Sequence, residues 1–448
     1  MRPAYPPQFR YIKATSLAEA LEAVREGATP LAGGQSLSTL LKLRLLSVEA
    51  LVDIFELDEL RYVERRGDRL ALGALLVHND VAMHREVVSW APALSEAAWR
   101  IADIQVRNRG TLGGSLAHAD PAANYLPPLM ALDAEVVLRG RGGERVVRAE
   151  EFVKGPYYTV IDRELVAEVR VPRWERQATV VFKIGGASYP SLVVAAAVKV
   201  SEGVVTKSRV AVGGYYTRPV AVDKALDGAG LKGLDSHAEK ILDLLPQDEP
   251  YEDPHLSFEK KRRLLPQLLA QALRRVADGA EWRLPTRDAI TKWRGNGGGQ
   301  LLLNGRPVEV DVEPRVLLID FLRRAGATEV KRGCDEGRCG ACTVLIDGKA
   351  VKSCTIFAVQ AKGHEVTTVK GLSQDGLNPV QKAFLEEYAS QCGYCTHGFI
   401  LAVYHYLKDV DPEADPGVLK MSIRNICRCT GYVNILRAIK KASSYLRR

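Results

Sequence analysis

The first three quarters of the sequence contain no cysteine. All eight cysteines of the 448-residue chain lie between Cys334 and Cys429. A secreted protein stapled by disulfides does not normally leave so long a stretch without a thiol. In a reducing compartment, clustered cysteines usually bind a metal or carry out redox chemistry. The distribution therefore argues against a disulfide framework and points to the last quarter of the chain.

The sequence also lacks a membrane-spanning run and a secretion signal. Its longest strongly apolar stretch, residues 191–200, is too short, because a helix needs about 20 residues to cross a bilayer. The first ten residues hold three prolines and no apolar core, unlike a signal peptide. We therefore expect a cytoplasmic protein with no transmembrane segment.

Basic residues are in excess but form no single tract. The formal net charge is +8, from 62 Lys and Arg against 54 Asp and Glu. A nucleic-acid-binding protein concentrates such residues on one patch or stripe. We therefore expect no nucleic-acid partner.

Turn signals and hydrophobic periodicity predict an α+β chain of several domains. Residues 1–174 open with alternating helix and strand signals, beginning with a capping box at Ser16 and Glu19. Residues 175–284 change to strand-like runs of an antiparallel sheet, followed by an amphipathic helix at 264–276. We place a domain boundary near residue 175.

A glycine-rich stretch separates these two domains from the rest. Residues 285–300 include the run RGNGGG and predict a linker. As flexible coil, this linker would reach roughly 20–25 Å. Beyond it, Asn304-Gly305 and Asp347-Gly348 each lie between apolar runs and predict two hairpins in a domain at 301–375. From Pro379 the periodicity is helical, so residues 376–448 are predicted to form a separate helical domain.

Four cysteines form a first quartet: Cys334, Cys339, Cys342 and Cys354. The spacing, C-x4-C-x2-C with a fourth cysteine after eleven further residues, is that of plant-type [2Fe–2S] sites. Neighbouring glycines allow tight turns and let backbone N–H groups point at the sulfurs. We expect Cys354 to return beside the loop from the far strand of the second hairpin. Structural zinc is the alternative, although zinc sites usually present paired C-x2–4-C arms.

The other four cysteines form a second quartet: Cys392, Cys395, Cys427 and Cys429. By spacing alone, a zinc site or a redox dithiol stays open. Each pair lies near a predicted helix start, where free N–H groups favour an anionic thiolate cluster. Two sets of four account for every cysteine, which favours two clusters over disulfides.

These motifs resemble the iron–sulfur subunit of molybdenum hydroxylases, the family of xanthine dehydrogenase, aldehyde oxidoreductases and aerobic carbon monoxide dehydrogenase. The resemblance covers about residues 300–448 and rests on GCDEGRCGACTV (333–344), QCGYCT (391–396) and NICRCTGY (425–432). It implies a β-grasp, plant-ferredoxin-like domain and a four-helix-bundle-like [2Fe–2S] domain, with the eight cysteines as iron ligands. Where the family usually has proline, this chain has His397, which bears on the surroundings of the second cluster.

Residues 5–280 resemble the FAD (medium) subunit of the same family. LAGGQSL (31–37) and RGTLGGSLAHADP (109–121) match its two flavin motifs. Such Gly pairs let backbone N–H groups approach a pyrophosphate, and neither motif is the G-x-G-x-x-G of a Rossmann site. The resemblance implies an FAD-binding α/β domain and an α+β C-terminal flavin-subunit domain. The residues implied to line the FAD are Ala32, Gly33, Gly34, Gln35, Ser36, Leu37, Thr111, Gly113, Gly114, Ser115, His118, Asp120 and, by position, Lys183.

Together the resemblances imply a fusion of the medium and small subunits, acting in electron transfer. Electrons are expected to pass from a molybdopterin cofactor on a separate large subunit to the second-quartet cluster, the first-quartet cluster, FAD and a small-molecule acceptor. Gln391 is expected to hydrogen-bond the pterin across the interface, and the complex to be a dimer of heterodimers. No residue of this chain is expected to act on the oxidised substrate.

Two alternatives belong to other classes of protein. One is a self-contained FAD and iron–sulfur diaphorase that oxidises NAD(P)H without a molybdenum partner. The other is a zinc-stabilised binding module with a vestigial flavin fold. Colour distinguishes them, because iron–sulfur clusters and FAD absorb visible light and zinc does not.

Overall fold

The computed structural model describes residues 5–185, 187–279, 282–293, 295–373, 376–413 and 422–446. We call residues 5–279 the N-terminal half, 282–293 the connector and 295–446 the C-terminal half. Within this part of the chain, no helix has both the length and the apolar character needed to cross a bilayer.

A small parallel sheet opens the N-terminal half. Each of its strand-to-strand connections crosses over through a helix, as parallel pairing requires. Ser16 Oγ accepts the N–H of Glu19 at 3.2 Å, which confirms the predicted N-cap. In sheet order the strands are Arg10–Lys13, Ala50–Asp53 and Thr29–Leu31, and the helices are Leu17–Arg25 and Leu37–Lys42.

A five-stranded antiparallel sheet follows and packs beneath a layer of short helices. The second flavin-like segment contributes the helix Leu112–His118 to this layer, so the layer positions that segment. The strands, in sheet order, are Val63–Arg66, Arg69–Gly73, Leu165–Pro172, Glu135–Gly140 and Gly143–Arg148. The helices are His78–Met83, Arg85–Trp90, Pro92–Trp99, Ile104–Arg107, Leu112–His118, Leu126–Ala131 and Ala149–Phe152, and a two-stranded sheet joins Val153–Gly155 to Tyr158–Thr159.

A four-stranded antiparallel meander completes the N-terminal half. The apolar stretch noted in the sequence becomes its second strand, which is buried along most of its length. The predicted amphipathic helix packs against this sheet, with Leu265, Leu269 and Leu273 fully buried. The strands are Arg176–Phe182, Leu192–Ser201, Val204–Gly213 and Val220–Asp223, and the helices are Ala238–Leu244 and Phe258–Asp278.

The connector is fixed to both halves, so the prediction of a flexible coil at 285–300 is wrong for these residues. The Thr291 N–H and hydroxyl both donate to the carboxylate of Asp80. Trp293 is 1% exposed, and its ring lies 5.6 Å from that of Phe55 and 6.4 Å from that of His364. Burial of the large apolar surface of the indole favours this docked arrangement over a free coil. Arg294, which belongs to the predicted run, lies outside the described residues.

A mixed five-stranded sheet with one helix opens the C-terminal half, as expected of a β-grasp domain. One central pairing, Leu302 to Glu365, is parallel, and the others are antiparallel. Both predicted hairpins are confirmed, with positive φ at Asn304-Gly305 and at Asp347-Gly348. In sheet order the strands are Arg306–Glu309, Gln300–Leu303, Glu365–Thr367, Thr343–Ile346 and Lys349–Lys352, and the helix is Leu318–Arg324.

The end of the described chain is helical, as predicted. Asn378 caps its first helix, accepting the N–H of Val380 at 3.0 Å. The described helices here are Pro379–Glu386, Thr396–Asp409 and Tyr432–Leu446. Residues 414–421, which belong to the predicted four-helix-bundle-like domain, lie outside the described residues.

Buried polar contacts join the two halves. Asp103 and Lys352 form an ion pair whose side chains are only 5% and 1% exposed. Gln105 Nε2 donates to Asn425 Oδ1 at 2.7 Å. Since a buried charge is costly unless it is paired, this ion pair fixes one mutual position of the halves.

His364 makes a second polar link between the halves. Its Nδ1 lies 2.6 Å from Asp347 Oδ2, and its Nε2 lies 3.1 Å from Glu56 Oε1. Burial by itself lowers the pKa of His364, but the hydrogen bonds with Asp347 and Glu56 outweigh it, so the pKa is raised. Burial raises the pKa of Glu56, but hydrogen bonds from His364 and Lys13 to its carboxylate outweigh this and lower the pKa to about 2.

Replacing His364 by Asn should cost more stability at acidic than at alkaline pH. The folded pKa lies above the unfolded value of about 6.5, so the stabilisation is complete below that value and is lost as the pH rises through the folded pKa. We expect His364→Asn to lower the free energy of unfolding in urea by about 1–2 kcal/mol at pH 6 and by clearly less at pH 9. His255→Asn, at an exposed histidine, is the control. Equal losses at both pH values would contradict the assignment.

Candidate functional site

The first quartet converges on one loop and one strand end. The thiols of Cys334 and Cys339 are hydrogen-bonded to each other, as are those of Cys342 and Cys354. Cys354 follows the strand Lys349–Lys352, so it returns from the hairpin as predicted. The structure therefore brings all four predicted residues together.

Backbone N–H groups surround the sulfur of Cys334. Those of Glu336, Arg338 and Cys339 lie 3.3–3.4 Å from Cys334 Sγ. The hydrogen bond from the Cys339 thiol, followed by these N–H groups, lowers the pKa of Cys334, whereas the same hydrogen bond and burial raise the pKa of Cys339. Within this pair the loop favours the thiolate at Cys334, and the thiolate is the form that binds iron.

The loop leaves no space for further side chains beside its sulfurs. A Cβ on Gly333 would lie 2.5 Å from Cys339 Sγ. Gly337 and Gly340 both have positive φ, at 71° and 72°, which lets the chain turn around the thiols. N–H donors, thiolate character and small residues are the features that a compact anionic [2Fe–2S] cluster requires, so the first quartet fits one.

The second quartet lies at two helix starts, as predicted. The thiols of Cys392 and Cys429 are hydrogen-bonded, and so are those of Cys395 and Cys427. Cys395 is the N-cap of the helix Thr396–Asp409. One small cavity is lined by all four cysteines and by Gln391. Cys392 is exposed, whereas Cys395 and Cys427 are buried, so this quartet reaches the protein surface.

Each quartet consists of two thiol pairs. Among the described residues, no group of three or more His, Cys, Asp or Glu side chains is arranged to hold one metal ion. Two hydrogen-bonded thiol pairs make up each quartet, and a [2Fe–2S] cluster needs two thiolates on each of two irons.

The loops of the two quartets touch each other through backbone. The N–H of Ile426 donates to the carbonyl of Cys339 at 2.9 Å. Asn425 Nδ2 donates to the carbonyl of Gly340 at 3.1 Å. His397 hydrogen-bonds the carbonyl of Ala341 through Nε2, so it joins the two loops and belongs to neither quartet.

The two flavin-like segments lie against each other. A Cβ on Gly33 would lie 2.0 Å from the carbonyl oxygen of Arg109. Thr111 caps the helix Leu112–His118 and accepts the N–H of Gly114 at 3.1 Å. An added Cβ on Gly114 would come within 3.8 Å of Ala32 Cβ. The sequence-predicted residues 32–37 and 111–115 thus form one glycine-lined cradle, whose bare backbone suits a pyrophosphate.

Arg109 supports this cradle from below. It is buried, and its guanidinium lies 3.5 Å from the centre of the Phe55 ring and 5.3 Å from that of Trp293. Burial lowers the pKa of Arg109 to about 10, so it stays charged at neutral pH. The connector therefore reaches the cradle through Trp293, a link that no sequence motif indicated.

Three other predicted flavin residues have partners within the chain. Asp120 accepts the N–H of Ala122 at 2.8 Å and the hydroxyl of Tyr157 at 3.2 Å. The His118 ring lies 5.2 Å from that of Tyr157. Lys183 Nζ donates to the carbonyls of Arg100 and Ser188 at 2.6 and 2.7 Å, and burial holds its pKa well below the usual value.

Two tyrosines at the flavin cradle were not predicted from the sequence. Tyr189 lies 3.5 Å from Ser36, hydroxyl to hydroxyl, and is 45% exposed, and Tyr157 contacts Asp120. They come from loops far along the chain. Aromatic residues beside turns were the only signal, and it is a weak one.

The first flavin-like segment contacts the first quartet. Thr355, the residue after Cys354, donates from its hydroxyl to Gln35 Oε1 at 3.2 Å. A Cβ on Gly34 would lie 3.7 Å from the Thr355 carbonyl oxygen. The cradle, the first quartet and the second quartet are therefore joined in that order by direct contacts.

Comparisons with known proteins agree with this division of the chain. Residues 7–174 match the family model described as FAD binding domain in molybdopterin dehydrogenase. Residues 301–367 match that of the 2Fe-2S iron-sulfur cluster binding domain, and residues 368–440 that of the [2Fe-2S] binding domain. The predicted cofactors, FAD and two [2Fe–2S] clusters, and the mixed multidomain fold are confirmed.

Relatives match one half of the chain at a time. The glyceraldehyde dehydrogenase medium chain of Sulfolobus acidocaldarius is 35% identical over 280 residues, which is 61% of this chain and all of that protein. Caffeine dehydrogenase subunit gamma of a Pseudomonas species is 43% identical over 150 residues, 32% of this chain and 89% of that protein. The first relative is a medium chain and the second is a separate subunit, whereas this chain contains regions similar to both.

Two solved structures of oxidoreductases align with about three fifths of the chain. The carbon monoxide dehydrogenase of Hydrogenophaga pseudoflava, in a form lacking the Mo-pyranopterin moiety of its molybdenum cofactor, aligns with a TM-score of 0.57 at 32% identity, over 61% of this chain and 99% of that chain. Quinoline 2-oxidoreductase from Pseudomonas putida 86 aligns with a TM-score of 0.57 at 29% identity, over 62% of this chain and 99% of that chain.

Replacing Gly33 by Ala should reduce FAD binding without removing iron. The added Cβ collides with the Arg109 carbonyl and separates the two cradle segments. We expect at least about a tenfold loss of FAD affinity, because such overpacking costs about 1–3 kcal/mol. The measurement is the FAD-to-protein absorbance ratio after dialysis. Gly142→Ala, at a glycine whose added Cβ meets no atom, is the control. Full FAD content in Gly33→Ala would contradict the cradle.

Proposed function

Since the chain belongs to the molybdenum hydroxylase family, as a fusion of its FAD and [2Fe–2S] subunits, we propose that it carries electrons for a catalytic subunit on another chain. In this proposal, electrons leave a molybdopterin cofactor on a large partner subunit. They pass through the two [2Fe–2S] clusters to FAD and then to an external small-molecule acceptor.

The observation that supports this proposal is the unbroken contact from one site to the next. The second quartet meets the first through Ile426 and Cys339, and the first meets the flavin cradle through Thr355 and Gln35. Electron transfer weakens steeply with distance, so direct contact between neighbouring sites is what a relay needs. The exposed second quartet would be the entry point, and the cradle in the N-terminal half the exit.

We assign the eight cysteines as the iron ligands, four to each cluster. When bound, the clusters exchange single electrons and FAD holds a pair. The chain's own residues keep Cys334 as a thiolate, donate N–H groups to its sulfur, and exclude water from Cys342 and Cys354, which are 3% and 2% exposed. Fewer water contacts and more N–H donors both tune a cluster's potential.

We assign the FAD to the glycine-lined cradle. Backbone N–H groups of 32–37 and 111–115 would bind its pyrophosphate, and Thr111 holds the second segment in place through its N-cap. Asp120 and His118 both contact Tyr157, and the flavin ring system would pack beside these three side chains. Lys183 would orient this region through the Ser188 carbonyl.

The surface around the second quartet is suited to the large subunit. Large apolar side chains are exposed here, Tyr388 at 81% and Val433 at 63%, beside exposed Cys392 and Gln391. Contiguous exposed apolar groups usually mark a protein interface. We propose that the molybdopterin subunit covers this face, that Gln391 contacts the pterin, and that two such pairs form a dimer of heterodimers.

A cytoplasmic location suits eight cysteines kept out of disulfides.

Iron, flavin and EPR measurements test the relay. We expect about four irons and about one FAD per chain and two distinguishable EPR signals from the reduced clusters. Cys334→Ser should remove one signal and leave the other, since it withdraws a ligand from the first quartet only. Cys392→Ser is the matched variant and should remove the other signal. Loss of neither signal, or zinc in place of iron, would contradict the ligand assignment.

Turnover separates this function from the diaphorase alternative. The purified chain alone should not oxidise an organic substrate, and activity should appear when the large subunit is restored. Full turnover with NAD(P)H by a homogeneous monomer would overturn the subunit proposal.

Replacing Val433 by Glu should weaken assembly with the large subunit. A carboxylate forced into an apolar interface loses its hydration without gaining a partner. We expect the Kd for the large subunit to rise at least about tenfold, or ~1.4 kcal/mol. Val146→Glu, at a valine 46% exposed in the N-terminal half, is the control and should leave Kd unchanged. Both variants should keep both EPR signals. Unchanged binding by Val433→Glu would place the interface elsewhere.

A further inference from the structure

Lys42 crosses from the flavin half of the chain to the first quartet. It ends the helix Leu37–Lys42, which begins in the first flavin-like segment, and it is only 2% exposed. Its ammonium donates to the carbonyl oxygens of Asp335 and Cys354, each at 2.6 Å. Asp335 follows Cys334, and Cys354 is itself a member of the quartet. Lys42, a residue of the N-terminal half, therefore contacts the backbone of the first quartet at two places.

The charge of Lys42 has no carboxylate partner among the residues that the structure describes. No Asp or Glu in this part of the chain lies within ion-pair distance of its Nζ, although two carbonyls accept from it. A buried ammonium that only carbonyls contact is costly, because carbonyls carry partial charges. A net anionic cluster on the adjacent cysteines would offset that cost.

Lys352 shows the contrast. It also lies beside the quartet, donating to the carbonyl of Gly337 at 2.6 Å, but it is paired with buried Asp103. Its charge is largely cancelled where it stands. Of these two buried lysines, Lys42 is therefore the one whose charge acts on the quartet without a carboxylate beside it.

The ammonium of Lys42 is held against the backbone of the quartet and away from water, since it is buried and donates to the carbonyl of Cys354 itself. A positive charge at this place favours any added negative charge on the quartet, because the interaction is stronger away from water.

We propose that Lys42 sets the reduction potential of the cluster held by the first quartet, by stabilising the reduced cluster, which carries one more negative charge than the oxidised cluster. The inference rests on the proposed function, and it adds that the flavin half does more than accept the electron. By docking, that half supplies the cation that makes the neighbouring cluster easier to reduce. Lys42 is a tuning residue, since it touches the backbone of the ligand loop and no reacting atom.

The test is a redox titration of the intact, FAD-loaded chain, followed by EPR at each cluster separately. In Lys42→Gln and Lys42→Met, we expect the equilibrium constant for reducing the first-quartet cluster to fall about tenfold, which for one electron is about 59 mV. Lys42→Arg keeps the charge and should keep the potential near its original value. The second-quartet cluster should shift much less and serves as an internal reference.

Arg44→Gln is the matched control for charge alone. It removes the same charge two residues further on, at an exposed side chain where water screens it. An unchanged first-cluster potential in both neutral variants would overturn the inference, and so would an equal fall in Lys42→Arg or in Arg44→Gln. Loss of the cluster from both neutral variants but not from Lys42→Arg would replace the redox role by a structural one. Absence of any [2Fe–2S] signal from the unaltered chain would instead contradict the proposed function itself.

Discussion

The close approach of the two cysteine loops is the constraint on which the rest of the structure depends. Ile426 and Cys339 share a backbone hydrogen bond, and a Cβ on Gly398 would lie 2.3 Å from the carbonyl oxygen of Gly340. Loops can meet in this way only where side chains are missing. The glycines near the cysteines therefore allow the two sites to approach each other, and they also allow the tight turns within each site. A side chain at Gly398 would move the helical domain away from the ferredoxin-like domain.

Apolar packing joins the two halves, and the polar contacts within that interface give it direction. Asp103 and Lys352 are buried as a pair, and Asn108 Nδ2 donates to the carbonyl of Ala350 at 2.8 Å and lies 2.9 Å from His405 Nε2. Apolar surfaces tolerate sliding, because their attraction has no direction. Hydrogen bonds and ion pairs are directional, and a displacement would leave buried polar groups without partners at a high cost in free energy. They therefore permit only one arrangement. The proposed electron relay would gain from this, since its rate would depend on the separations that the arrangement fixes.

Local patterns made much of the fold and of the site predictable from the sequence. Spacing predicted the first quartet, and Asn304-Gly305 and Asp347-Gly348 predicted two hairpins. Periodicity predicted a helix at 264–276, which in the structure runs from Phe258 to Asp278. Each of these is decided by residues close together in the chain. The fate of the connector was not predictable in this way. The glycine run that follows the connector favours coil, but Trp293 packs against Phe55, and the partner of a single apolar residue cannot be predicted from its neighbours in the sequence. Lys42 was missed for the same reason, because it meets Cys354 across 312 residues of chain.

The anchored connector changes how the complex comes together. Two separate chains must find each other, and their association weakens on dilution, whereas two halves joined by a short, docked segment keep a constant effective concentration. With Trp293 seated between Phe55 and His364, the segment also arrives already ordered, so little entropy remains to be lost. Assembly with the proposed large subunit would then need one encounter between two chains, in place of two encounters among three chains. Flavin and iron–sulfur modules are thereby made in equal numbers, so neither accumulates without the other.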